Sequence, residues 1–214
     1  MKVLVTAVRG PAGQSVLVLL GKLPDVEVGG VDASDNFPRA DSPVYIETVR
    51  RLSEHYDYVI PCSDEEAVAL ASLNHERIIV SSPSTVALCR DKWALYVHLR
   101  TKTRIEQPLT LPGGFIKPRT GRGGRSCAVV PNTFIMSEYL PGREYSIDAL
   151  YWHGRLVRAV TRQRLVVREG ISLRGRVIDT PPIIDRALRE LMSALDLHGI
   201  VCIQFKEDAN GFPR

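Results

Sequence analysis

The stretch Gly114-Phe-Ile-Lys-Pro-Arg-Thr-Gly-Arg-Gly-Gly-Arg-Ser126 sets one lysine at the mouth of a glycine-rich basic loop. Phe115 and Ile116 read as the end of an apolar strand that delivers Lys117, and glycines follow at 121, 123 and 124. Glycine accepts positive φ and lets a backbone come close to a ligand, so successive N–H groups can converge on an anion. Lys117 would add a point charge where the loop begins. The chemistry implied is phosphate binding, although the Gly-Lys-Ser/Thr ending of a Walker A loop is absent. A plain flexible turn is the alternative reading.

A second group follows at Phe134-Ile-Met-Ser-Glu-Tyr-Leu-Pro-Gly-Arg-Glu-Tyr-Ser-Ile-Asp148. An apolar strand ends in Glu138-Tyr139-Leu140, turns at Pro141-Gly142 and resumes as an alternating strand through Tyr145, Ile147 and Ala149. Glu138 and Glu144 flank that turn. Carboxylates beside a phosphate loop would repel the phosphates, so they suit the other end of a nucleotide. There Glu138 could accept from an adenine amino group and Glu144 from ribose hydroxyls, with the backbone of Tyr139 and Leu140 reading the adenine edge. The competing reading is a β-hairpin with solvated acids.

The elements that must position these groups alternate along the first third of the chain. Strands are predicted over 2–8, 26–32, 58–61 and 77–81, and helices over 14–23, 43–55 and 64–73. That rhythm predicts a parallel sheet with helices on both faces, where ligands lie beyond the carboxyl ends of the strands. Serines 81, 82 and 84 precede a short helix over 85–89, and Asp91-Lys92 opens another over 93–99, whose Trp93, Tyr96 and Val97 read as core. Later come a helix over 182–195, a strand over 200–207 and a turn over 208–211.

Composition fits a chain of one or two domains with a real core: 214 residues, 44% hydrophobic, formal charge +4. The four cysteines at 62, 89, 127 and 202 form no C-x-x-C, which speaks against disulfide and zinc readings. No apolar run is long enough to span a bilayer and no signal peptide is evident, so no membrane partner and a cytoplasmic location are expected. Residues 155–176 carry seven arginines against one acid, Glu169. Without interleaved stacking aromatics these do not suggest nucleic acid. Arginine forks suit phosphoryl and acyl-phosphate oxygens, while exposed strand surface is the other account.

Gly10-Pro-Ala-Gly13-Gln14 follows the first strand and could hold an anion at a helix start. It resembles a dinucleotide fingerprint with two glycines where three are usual, and Asp32 would be its ribose acid. A nicotinamide-binding fold is therefore one alternative, but no hydride-transfer site accompanies it.

Taken in order, Asp91-Lys92, then Phe115-Ile-Lys117-Pro with its glycine loop, then Ser137-Glu-Tyr-Leu-Pro-Gly-Arg-Glu144-Tyr-Ser resembles the ATP-grasp superfamily over the whole chain. The flavour is similar to the large subunit of carbamoyl phosphate synthase and its single-copy relatives. The resemblance implies an α/β protein: an N-terminal parallel-sheet, Rossmann-like preATP-grasp domain (1–90), then an ATP-grasp α+β nucleotide clamp (91–214). In it Lys92 and Lys117 contact phosphates, with Gly121, Gly123 and Gly124 in the covering loop. The segments 161–164 and 170–174 lie beside the triphosphate and acceptor, so Arg162 or Arg164 would meet the developing charge. The glycine turn and residues 61–65 would face the active cleft.

The implied activity is ATP-dependent ligation of a small carboxylate, or bicarbonate, with an amine or ammonia through an acyl phosphate, giving ADP. ATP and Mg²⁺ are the cofactors, and a homo-oligomer is compatible with the sequence. Gln204 matches a metal-contacting position of the carbamoyl-phosphate type. The Glu-x-Asn pair that normally holds Mg²⁺ in this family does not occur by Arg214, so a nucleotide-binding module without catalysis is the alternative. Several surface stretches are short against the family pattern. Omitted segments, rather than a pared-down relative, are the expectation.

Overall fold

The β-branched run after Met1 forms β1 (Lys2–Val5), whose Val3, Leu4 and Val5 are almost completely buried. The computed structural model describes residues 1–116, 127–168 and 171–214. A Gly/Pro turn leads from β1 into α1 (Pro11–Leu20), with Pro11 where a helix needs no N–H donor. A Cβ on Gly13 would stand 2.3 Å from the carbonyl oxygen of Ala7, so only glycine lets α1 seat on the loop that precedes it. β2 (Glu27–Gly30), α2 (Tyr45–Ser53), β3 (Tyr58–Ile60) and α3 (Asp64–Ala71) follow.

The three strands form a parallel sheet in the order β2-β1-β3, with Leu4 opposite Gly29 on one side and Val59 on the other. Tyr45 and Val49 recur at helical spacing on α2 and close a core with Leu4, Val59, Leu70 and Ile78. Ser63 caps α3 through the Glu66 N–H at 3.3 Å, and the acids of its first turn complement the helix dipole. The strand expected over 77–81 is reduced to one parallel bridge, Val59 to Ile78. The Val80 N–H folds back onto the Ile78 carbonyl at 3.1 Å, which turns the chain away after that pairing.

Next come α4 (Pro83–Arg90) and α5 (Lys92–Lys102). Asp91 caps α5 by accepting from the N–H groups of Trp93 and Ala94, both at 3.0 Å. Tyr96 is buried and Trp93 stacks on it, whereas Val97 is exposed, contrary to the sequence reading. Consecutive helical residues point about 100° apart, so Tyr96 and Val97 do not centre on one face.

β4 (Thr110–Ile116) and β5 (Ala128–Ser137) form a two-stranded antiparallel sheet. β6 (Glu144–Trp152), β7 (Arg155–Arg168), β8 (Ile171–Ile178), α6 (Pro182–Ala194) and β9 (Gly199–Lys206) complete the chain, with a second sheet in the order β8-β7-β6-β9. One face of β6, Tyr145, Ile147, Ala149 and Tyr151, is buried. α6 turns Ile184, Ala187, Leu188 and Leu191 inward, and the Tyr151 hydroxyl donates to the Leu188 carbonyl at 2.8 Å.

The chain divides into two compact units, Met1–Ala87 with Asp196–Gly199, and Leu88–Leu195 with Ile200–Arg214. Within the first unit the Asp196 and His198 N–H groups donate to Thr85 Oγ1 (3.2 Å) and Ser81 Oγ (3.0 Å). Among the described residues no helix is long and apolar enough to cross a membrane.

Candidate functional site

Strand alternation that buries Tyr145, Ile147 and Ala149 must turn Glu144, Ser146 and Asp148 to the opposite face. The antiparallel register sets Glu144 across from Arg164 and Ser146 across from Arg162. The Arg164 guanidinium pairs with the Glu144 carboxylate and donates to the Gln204 amide oxygen at 3.3 Å. Lys206 Nζ stands 3.8 Å from the other Glu144 oxygen. Arg162 reaches diagonally to Asp148 at 2.7 Å. The two arginines differ in freedom: the Arg164 side chain is 3% exposed, that of Arg162 44%. Arg162 can therefore still meet a ligand, while Arg164 is engaged in holding its neighbours.

Residues 138–143 connect the two sheets. β5 pairs with β4, and β6 lies between β7 and β9, so the hairpin reading of this turn does not hold. The connector is tied at both ends. The Glu138 N–H donates to the Leu109 carbonyl (2.8 Å), and the Leu109 N–H returns to the Glu138 carboxylate (3.3 Å). Leu140 is buried, while Tyr139 is 82% exposed with Lys206 Nζ 5.9 Å from its ring centre. Among the described residues nothing takes the backbone N–H of Tyr139 or Leu140.

The other end rests on Glu207, only 5% exposed. Its carboxylate accepts from the Tyr145 hydroxyl (2.6 Å), Arg143 Nε (2.9 Å) and the Arg143 N–H (3.2 Å). Burial works to raise its pKa, but the donors of Arg143 and Tyr145 outweigh it and hold the carboxyl below the usual range. Backbone bonds run from Gly142 N–H to the Glu207 carbonyl (3.0 Å) and from Glu207 N–H to the Arg143 carbonyl (2.9 Å). A Cβ on Gly142 would stand 2.5 Å from that of Glu207, so the approach needs glycine. Asp208 next to it is buried too, held below its usual range by the Phe212 N–H and by Arg214. Arg214 also pairs with Glu106.

Of the residues singled out from sequence, Arg164 contacts both Glu144 and Gln204, and Glu138, Tyr139 and Leu140 lie in the connector that precedes Glu144. Lys92 is the exposed first residue of α5. Lys117, Gly121, Gly123 and Gly124 lie outside the described residues. Sequence reading passed over Asp148, Lys206 and Glu207. The first two were within reach, since Asp148 follows Glu144 by four on one strand face and Lys206 follows Gln204 by two. Glu207 carried no signal, because only the fold brings it beneath the turn.

The described residues include Gln204, the residue matched to a metal-contacting position. No cluster of three or more His, Cys, Asp or Glu side chains gathers among them. The Gln204 amide oxygen faces the Arg164 guanidinium, and a second cation at that oxygen would be repelled. In the first unit, Asp32 accepts from the Arg9 N–H (2.9 Å) and from the Ser34 N–H (3.0 Å) and hydroxyl (2.8 Å). These bonds hold its carboxyl below the usual range and build its own loop. Burial and Glu66 push the Cys62 thiol up to about 11, the behaviour of an unreactive thiol.

Residues 130–214 match the family described as ATP-grasp in the biosynthetic pathway with Ter operon. No curated protein matches the chain. Among solved structures, a protein assigned to the ATP-grasp superfamily from Archaeoglobus fulgidus is 17% identical, with a TM-score of 0.60 over 100% of this chain and 79% of that one. Carboxyaminoimidazole ribonucleotide synthase from Aspergillus clavatus, complexed with ATP, is 14% identical, with a TM-score of 0.63 over 99% and 68%. D-alanine–D-alanine ligase from Bacillus anthracis, also complexed with ATP, is 14% identical, with a TM-score of 0.57 over 100% and 84%. The chain has the mixed α/β fold of these proteins, and the family match covers its last 85 residues.

Proposed function

We propose that this chain binds ATP and belongs to an ATP-dependent ligase that joins a small carboxylate to an amine or ammonia. The observation that carries this reading is the connector 138–143, with two N–H groups uncommitted among the described residues, lying between two sheets and leading into the Glu144–Arg164–Gln204 face. Solved relatives of the same fold that hold ATP support it. Glu138, Tyr139 and Leu140 hold adenine, and Glu144 meets the ribose. Lys92 and Lys117, with the loop N–H groups at Gly121, Gly123 and Gly124, take the phosphates. A carboxylate oxygen attacks the γ-phosphorus as its bond to the ADP oxygen breaks. The amine nitrogen then attacks the acyl carbon, phosphate leaves, and the nitrogen loses a proton. Arg162, half open to solvent, faces the charge that develops, and Arg164 keeps Glu144 in place. Bicarbonate as the carboxylate, the carbamoyl-phosphate-synthase-like case, is one form of this chemistry.

Calorimetric titration tests the nucleotide. Saturable ATP binding without NAD binding is expected, and the reverse would sink the reading. Lys117→Ala should weaken ATP binding by roughly 1.5–3 kcal/mol, the worth of a hydrogen bond to a charged group. A nucleotide-binding module without catalysis is the second reading, favoured by the arginine that occupies Gln204. ADP release that depends on both a carboxylate and an amine separates the two.

A further inference from the structure

We infer that Glu207 is a positioning residue for the nucleoside end of the site, a clamp that fixes residues 139–144 from beneath; this rests on the nucleotide reading above. Three observations converge on it. The carboxylate is buried, yet it touches no group assigned to ligand and spends its bonds on Arg143 and Tyr145. Those two residues flank Glu144, so their anchorage sets the direction in which the Glu144 side chain leaves β6. Glu207 also exchanges backbone bonds with Gly142 and Arg143, at a contact too close for any side chain on Gly142. One residue on the chain after β9 therefore ties down both the end of the connector and the start of β6. Gln204 and Lys206 lie on β9 just before it, so the clamp also fixes their offset from Glu144.

A carboxylate accepts from all three donors, whereas a glutamine in its place turns an NH₂ toward at least one of them. Glu207→Gln keeps the shape and weakens the clamp by removing the charge that holds Arg143. The experiment compares wild type and Glu207→Gln in the full chain by amide exchange and by titration with ATP, adenosine and inorganic tripolyphosphate. Faster exchange at 140–145 is expected, with at least a tenfold loss of ATP and adenosine affinity and unchanged tripolyphosphate binding. Unchanged exchange in that segment, or equal losses for ATP and tripolyphosphate, would overturn the inference. If Glu207→Gln does not fold, Tyr145→Phe, which removes one donor, should show the same split at smaller amplitude, and no split would overturn the inference. Wild-type chain that failed to bind ATP would sink the functional reading instead, while the exchange comparison would still decide the clamp.

Discussion

Arg164 on β7 stands directly opposite Glu144 on β6, and the guanidinium is far more deeply buried than the carboxylate it pairs with, 3% against 24% exposed. Removing either partner therefore has unequal consequences. Glu144→Gln leaves a buried guanidinium without its carboxylate and should cost about 3 kcal/mol. Arg164→Met should cost less, because Glu144 keeps Lys206 nearby and some solvent. The double variant Glu144→Gln/Arg164→Met should recover most of the loss. Urea denaturation of the four proteins measures the coupling, and additive losses would show that the pair does not act as a unit.

The Tyr151 hydroxyl donates to the Leu188 carbonyl deep between β6 and α6, and burial pushes its pKa upward. Tyr151→Phe should destabilise by about 1 kcal/mol, the ordinary net worth of one buried hydrogen bond. An unchanged denaturation midpoint would mean that this bond does not anchor the helix.

At Gly13 the obstacle to a side chain is backbone, the Ala7 carbonyl at 2.3 Å and the Val8 Cα at 2.7 Å, and neither can swing aside. Gly13→Ala should lose about 1–3 kcal/mol through overpacking. Gly10→Ala, whose nearest contact is 3.3 Å, serves as the milder comparison. Equal midpoints for the two variants would contradict this packing.

Glu207 and Asp208 are both held below the usual carboxylate range in the folded chain. A group whose folded pKa is depressed adds stability that is complete above its unfolded value. That stability is lost as pH falls toward the folded value. With unfolded values of about 4.3 for Glu and 3.9 for Asp, stability should be level above roughly pH 5.5 and fall steadily below it. Urea midpoints taken from pH 7 to pH 3 check this, and Glu207→Gln should show the shallower decline.

Much of the fold could be read from the chain, because hydrophobic spacing reports directly on buried faces. The helices α2, α3 and α6 lie where they were expected, within 43–55, 64–73 and 182–195, and the alternation of β6 follows Tyr145, Ile147 and Ala149. What escaped were features set by tertiary contact. The strand expected over 77–81 has the composition of a strand but turns away after one pairing. Val97 is apolar yet lies outside the buried arc of α5. The same limit holds for the site. The residues of the connector were visible as a motif, but that β5 and β6 belong to different sheets is a matter of pairing, which local sequence does not encode. The burial of Arg164 and the role of Glu207 depend on β9 returning beside β6, about sixty residues after the turn it supports.

The four residues Asp196–Gly199 belong with the first unit although their neighbours on either side belong with the second. Cutting the chain once, after Ala87, would therefore strip the first unit of the donors that meet Ser81 and Thr85. The two units are not modules that genes could trade by end-to-end joining. An exchange of one for a homologous unit must carry two separate stretches of coding sequence, so the pair is constrained to be inherited together.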